Sequence, residues 1–279
     1  MSSFTIEGIA GALGAEVSGL DLSRPMEPDT VVALRAAFNQ NHVLFFRHQS
    51  LTPAQQVAFG SNFGPLGTHP YVQANPDYPE VLDVVTEPTD RTNFGGGWHS
   101  DVTFLEEPDL GSILYAIELP PVGGDTLFAC QHTAYEALSD TMKALLDPLV
   151  GIHSARMQYG GRGYSQRATA MQTKGEEHAA ESEVEHPVVR THPETGRKAL
   201  YVNRAFTVGI KGMTRREGAA LLEFLFRHAV AEEFTCRFRW QPGSVAMWDN
   251  RSVQHYAIHD YKGQRRRMRR ITIQGDPPR

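Results

Sequence analysis

Trp98-His99-Ser100-Asp101-Val102-Thr103-Phe104 is the stretch from which the chain is best read. Alternate residues of a β-strand point to one side, so on a strand His99 and Asp101 hold an imidazole and a carboxylate about 6 to 7 Å apart on one face. Joined by a second imidazole from elsewhere, they make the 2-His-1-carboxylate facial triad, which leaves positions on Fe(II) open for substrate and dioxygen. The pair alone is weak evidence. The chain has 12 histidines, and a half-buried strand-end histidine beside a carboxylate is the ordinary reading. The surrounding sequence has to decide.

Outward from this run the pattern is one of short strands. Ser112 to Leu119, Asp125 to Cys130, Lys198 to Asn203, Ser244 to Asp249 and Arg266 to Gln274 are strand-like, and Phe234, Cys236, Phe238 and Trp240 alternate with polar residues at period 2. Upstream, residues 4 to 24 read as short strands and turns, Pro28 to Gln40 as a helix leading into the buried strand His42 to Arg47, and Glu80 to Val85 as a strand. Thr52 with Pro53 starts a second helix, running to about Phe63. Ser139 caps another, to about Leu149, and Thr214 with Glu217 forms a capping box ahead of Leu221, Leu222 and Leu225. Strands of this kind with a few helices set to the side predict a mainly β (α+β) protein with a sandwich or jelly-roll core, not βαβ units. No composition break divides residues 1–279, so one domain is expected, and the polar, aperiodic stretch 156–186 reads as an active-site lid.

Composition excludes several classes. Two cysteines, Cys130 and Cys236, are too few for a disulfide framework or a Cys-rich zinc site. With no export signal and no apolar run of membrane-span length, a cytoplasmic protein with no membrane partner is expected. A net charge of −5 argues against nucleic acid as a partner.

For the second imidazole, position relative to strands favours His255, just past the strand ending at Asp249, with His259 as runner-up. A hairpin from there to Arg266 would bring both beside the face holding His99 and Asp101. Five arginines lie between Arg265 and Arg270. On a strand, Arg266 and Arg270 share one face with Met268, about 13 Å apart at Cα, and buried arginines call for anions. Arg265, Arg267 and Arg269 face the other way and read as a solvated basic edge. Thr126, in Gly123-Gly124-Asp125-Thr126, offers a hydroxyl to fix a carboxylate.

The runs from Trp98 to Phe104, Gly123 to Leu127, His186 to Pro193 and Trp248 to Arg251, with His255, Arg266 and Arg270 following, resemble the taurine dioxygenase family of Fe(II)- and 2-oxoglutarate-dependent oxygenases. Order and spacing match over nearly the whole chain. The resemblance implies a double-stranded β-helix (jelly roll), with His99, Asp101 and His255 as catalytic metal ligands. It implies Arg266 and Thr126 on the far carboxylate of 2-oxoglutarate, and O2 as the oxidant. By the same resemblance Arg270 and His69 bind the anionic head of the substrate, with Phe206 and Val102 lining the pocket. Val72 and Gly95 stand where taurine dioxygenase has a tyrosine and an asparagine, and Ser154 to Gly163 looks more like aryloxyalkanoate or alkylsulfate members.

The activity so implied is hydroxylation of a small sulfonate, such as taurine, or of an alkyl sulfate ester. The products are succinate, CO2, an aldehyde and sulfite or sulfate; an aryloxyalkanoate substrate is the alternative. A homo-oligomer, dimer or tetramer, is expected. A cupin-like metal-dependent sensor would share the sandwich and triad but needs neither two inward arginines nor a long lid. A zinc hydrolase would need a general base that no H-E-x-x-H motif supplies here.

Overall fold

A computed structural model describes residues 4–160, 174 and 179–279. The chain opens with a hairpin of β1 (Thr5–Gly8) and β2 (Ala15–Ser18). Helix α1 (Pro28–Asn41) follows, with proline in its first turn and Leu34, Ala37 and Phe38 buried. It ends at His42 in the left-handed conformation, φ 64°, which turns the chain directly into β3 (Val43–Phe46). Helix α2 (Pro53–Ser61) has the capping box Thr52/Gln55 and stops earlier than its pattern suggests. After β4 (Leu66–Gly67) and β5 (Leu82–Thr86) come β6 (Gly111–Glu118), β7 (Thr126–Cys130), α3 (Gln131–Glu136) and α4 (Asp140–Leu146).

Next are β8 (Val150–Ser154), α5 (Arg156–Tyr159), β9 (Glu183–Pro187), β10 (Val189–Thr191), β11 (Lys198–Leu200) and β12 (Thr207–Ile210). Helix α6 (Arg215–His228) carries the expected Thr214/Glu217 capping box. The chain finishes with β13 (Thr235–Phe238), β14 (Val245–Asp249), β15 (Val253–Ala257) and β16 (Arg266–Ile273). Most of the expected lid falls on 161–173 and 175–178, outside the described residues. Its described ends are α5 and β9, the latter paired antiparallel to β8.

Eight strands form the major sheet, in the order β1-β2-β3-β14-β6-β16-β4 with β5 on β16; a second sheet runs β13-β7-β15. The two face each other, and alternation decides what each residue meets. Val43, Phe45, Ala246, Trp248 and Met268 of the major sheet pack against Phe128, Phe238 and Val253 of the other. The rings of Phe45 and Phe238 stack at 4.0 Å. Leu44, Phe46, Val245, Met247, Ile113 and Ile271 point outward and are covered by Leu34, Phe38 and Phe59 of α1 and α2. Every residue of β14 is therefore buried. This is the double-stranded β-helix, with helices on one outer face. Both cysteines are free and lie in the inter-sheet core.

The face containing Arg269 is a correction to the sequence reading. β16 is not an edge strand, since it pairs with β5 on one side and β6 on the other. Arg269 is 7% exposed, and under α2 it donates to Gln56 Oε1 and to the Leu51 carbonyl. Only Arg265 and Arg267 on that face reach surface carboxylates: Arg265 pairs with Glu87 and Glu118, and Arg267 with Asp83.

Candidate active site

His99, Asp101 and His255 come together between the two sheets, and one ligand atom from each lies within 4.8 Å of the others. The geometry differs from the strand that the spacing suggested. His99 makes a single antiparallel bridge to His255, its N–H donating to the His255 carbonyl and its carbonyl accepting in return. The chain then leaves extended structure, and Asp101 sits in a turn whose next residue, Val102, has φ 45°. That region is strained for a β-branched residue. His255 is on β15, which pairs with β7, so it faces Arg266 across the sandwich and is not joined to it by a hairpin.

The side chains are arranged with lone pairs converging. His99 Nδ1 is 2.7 Å from the Gly97 carbonyl, so it carries the proton and Nε2 is left as an acceptor. Nε2 of His99 and of His255 stand 3.6 and 3.9 Å from Asp101 Oδ1. Burial alone would raise the Asp101 carboxyl, but Arg270 with the two imidazoles outweighs it and holds the group well below the usual range. Burial, then His99, pushes His255 down to about 3, and burial also lowers His99. All three are thus in the deprotonated forms that bind a cation. Gly95 makes this packing possible: it has φ 78°, and a Cβ there would lie 3.3 Å from His99 Cε1.

Two residues that the sequence did not mark as ligand supports orient the carboxylate. Ser112 on β6 donates to Asp101 Oδ2 at 2.7 Å, and Asn250 Nδ2 donates to Ser112 Oγ. Asn250 Oδ1 in turn accepts from the Asp101 N–H and from Trp248 Nε1. Such outer partners fix a ligand's orientation and basicity.

Two chambers flank the cluster. The smaller, about 40 Å³, is bordered by Thr126, Trp248, His255, Arg266 and Arg270. Arg266 is 4% exposed, and its Nε and Nη2 have no hydrogen-bond partner among the described residues. Trp240 Nε1 donates to Thr126 Oγ1, which leaves the threonine proton free to donate. A buried guanidinium and a hydroxyl donor are what a carboxylate requires. The larger chamber, about 160 Å³, is bordered by His69, Asp101, Val102, Tyr159 and Phe206. Phe94, Gly95 and His99 border both.

Arg270 lies in the smaller chamber beside Arg266. Its Nη1 donates to Asp101 Oδ1 at 3.0 Å, and its guanidinium sits 5.6 Å from the centre of the Phe94 ring. Phe94 also borders the chamber of His69, and the charge of Arg270 acts on His69 and Tyr159 there. The spacing along β16 alone suggested two well-separated anion sites. His259 is half-buried, edge-on to the ring of Tyr261 and outside the cluster.

The model of the family "Taurine catabolism dioxygenase TauD, TfdA family" matches residues 5–272. The chain belongs to the TauD/TfdA family. Its reaction class is 2-oxoglutarate-dependent dioxygenation. Among TauD/TfdA relatives, an alkylsulfatase of Acinetobacter baylyi is 37% identical, covering 96% of this chain and 84% of its own. An alpha-ketoglutarate-dependent sulfate ester dioxygenase of Pseudomonas putida is 36% identical, covering 98% and 90%. A crystal structure of a taurine dioxygenase from Burkholderia xenovorans superposes with a TM-score of 0.84 at 37% identity, covering 99% of this chain and 92% of that one. Among the described residues no helix is long and apolar enough to cross a membrane.

Proposed function

We propose that this TauD/TfdA dioxygenase hydroxylates an alkyl sulfate ester or a sulfonate at the carbon bearing the heteroatom. The product collapses to an aldehyde and sulfate or sulfite, and 2-oxoglutarate becomes succinate and CO2. His99, Asp101 and His255 would hold Fe(II), and the donor set fits that role: two imidazole Nε2 atoms and one carboxylate oxygen converge in a buried site. When bound, the metal with 2-oxoglutarate and O2 supplies the oxidising chemistry.

The protein's own part is to bind, orient and exclude water. Arg266 and Thr126 would clamp the far carboxylate of the cosubstrate. The observation that carries this is the pair of unpartnered nitrogens on buried Arg266, since an uncompensated buried guanidinium costs several kcal/mol and a carboxylate relieves it (about 3–5 kcal/mol when one partner of such a pair is missing). Arg270 and His69 would fix the substrate head, and Val102, Phe94 and Phe206 would shield the carbon to be oxidised. A sulfate or sulfonate is favoured because a three-oxygen head can use donors beyond the two of a guanidinium, whereas a planar carboxylate is held by arginine alone. The relatives named for alkyl sulfate and sulfate ester chemistry support the same reading.

Succinate release with Fe(II), 2-oxoglutarate and a panel of sulfonates, sulfate esters and aryloxyalkanoates tests it. Sulfate esters or sulfonates are expected to give the highest specificity constant. An aryloxyalkanoate at the top of the panel refutes the substrate class, and no stimulation by any anion refutes the whole reading.

A further inference from the structure

His69 has its tautomer fixed by the backbone. Its Nδ1 accepts hydrogen bonds from the N–H groups of Tyr71 and Val72, at 3.2 and 3.1 Å. A nitrogen that accepts twice carries no proton, so the proton is on Nε2. Burial, helped by the positive charge of Arg270 and Lys174, pushes the imidazole down to about 3 and keeps it neutral. Nε2 faces the hydroxyl of Tyr159 at 3.3 Å. With Nε2–H as the donor, the tyrosine oxygen is the acceptor, and the Tyr159 proton is directed elsewhere.

Tyr159 is the last residue of α5, 5% exposed, and with His69 it borders the larger chamber. Burial raises its pKa, so it remains a donor. The rings of Tyr71 and Phe104, at 5.1 and 5.8 Å, hold it in place. We propose that Tyr159 is a specificity-determining residue, its hydroxyl, polarised by His69, donating a hydrogen bond to the third oxygen of a sulfate or sulfonate head. The assignment rests on the proposed substrate class. His69 then contributes to holding the head through Tyr159. A planar carboxylate, satisfied by a guanidinium, has no third oxygen to offer.

The test is calorimetric titration of hexyl sulfate and of phenoxyacetate into enzyme loaded with Fe(II) and 2-oxoglutarate without dioxygen, comparing wild type with Tyr159→Phe. The phenyl ring is retained, so the head cannot advance on Nε2 and the change is confined to one hydroxyl. Loss of a hydrogen bond to a charged group is expected to weaken hexyl sulfate roughly ten- to a hundredfold and phenoxyacetate by less than about threefold, with 2-oxoglutarate binding unchanged. Equal weakening of both ligands would mark Tyr159 as packing only and overturn the proposal, as would unchanged binding of hexyl sulfate. Wild-type enzyme that binds neither ligand, or phenoxyacetate alone, overturns the substrate class itself and this inference with it.

Discussion

The fold buries two clusters of imidazoles around an aspartate. In one, His99, His255 and Asp101 aim two nitrogen lone pairs at a common point beside a carboxylate oxygen. In the other, His42, His132 and His192 gather around Asp249, with rings 4.9 and 5.7 Å apart. There the polar atoms are mostly occupied by each other. Arg251 takes both oxygens of Asp249 at 2.8 and 2.7 Å and also bonds Glu194. His192 Nδ1 accepts two backbone N–H groups and its Nε2 donates to Asp249, while His42 Nε2 faces Arg197. The residue types are the same, but one cluster is closed and the other is open. Proximity of histidine and aspartate does not identify a metal site; two imidazole nitrogens converging on one carboxylate oxygen do, even where that oxygen also accepts from Arg270.

That contrast can be broken experimentally. The largest effect is expected from Asp249→Ala, which leaves Arg251 buried without its bidentate partner and should cost about 3–5 kcal/mol of stability while folded protein still binds Fe(II). A variant of full stability that no longer takes up Fe(II) would show that the clusters have the opposite roles.

The second effect depends on pH. Burial pushes His42 and His132 down to about 3 and about 4, so both are neutral when folded, whereas a free imidazole takes up its proton near pH 6.5. The folded value is the lower one, so their contribution is complete above about pH 6.5 and is lost as the pH falls towards 4. Urea midpoints at pH 7 and 4.5 should therefore fall less for His132→Leu than for wild type, by on the order of 2–3 kcal/mol in free energy. Equal slopes would mean that His132 is protonated in the fold. Smaller again, Ser112→Ala should lower Fe(II) affinity about 10- to 100-fold with a stability loss near 1 kcal/mol; an unchanged affinity would remove Ser112 from the site. Gly95→Ala, at φ 78° and against His99, should cost about 1 kcal/mol and is checked by melting temperature with and without Fe(II).

The sequence was a good guide where one period or one cap governs an element. The capping boxes at Thr52 and Thr214 are present, and β6, β14 and β16 fall within a residue of their apolar patterns. It was a poor guide where tertiary packing intervenes. Two residues apart puts His99 and Asp101 together in a strand or in the tight turn actually made, so spacing could not separate them. Arg269 looks solvated until α2 is laid over that face. Ser112 and Asn250 carry no signal as ligand supports, although Asn250 lies in the Trp248–Arg251 run. Tyr159 owes its importance to a loop histidine 90 positions away, which no local pattern reveals.

β16, bonded along both edges, also has a consequence in time. The amides from Arg266 to Arg270 lie between β5 and β6, so they should exchange hydrogen for deuterium only through the rarest openings of the fold. The two guanidiniums hang from a ruler whose graduations do not drift during turnover. Phe94 to Gly97 lies outside strand and helix and is tied down chiefly by Asn93 on the Ala257 carbonyl and by Gly95 to Ala257. Its amides should label far sooner, so one chamber is bordered by a slowly opening strand and a faster loop.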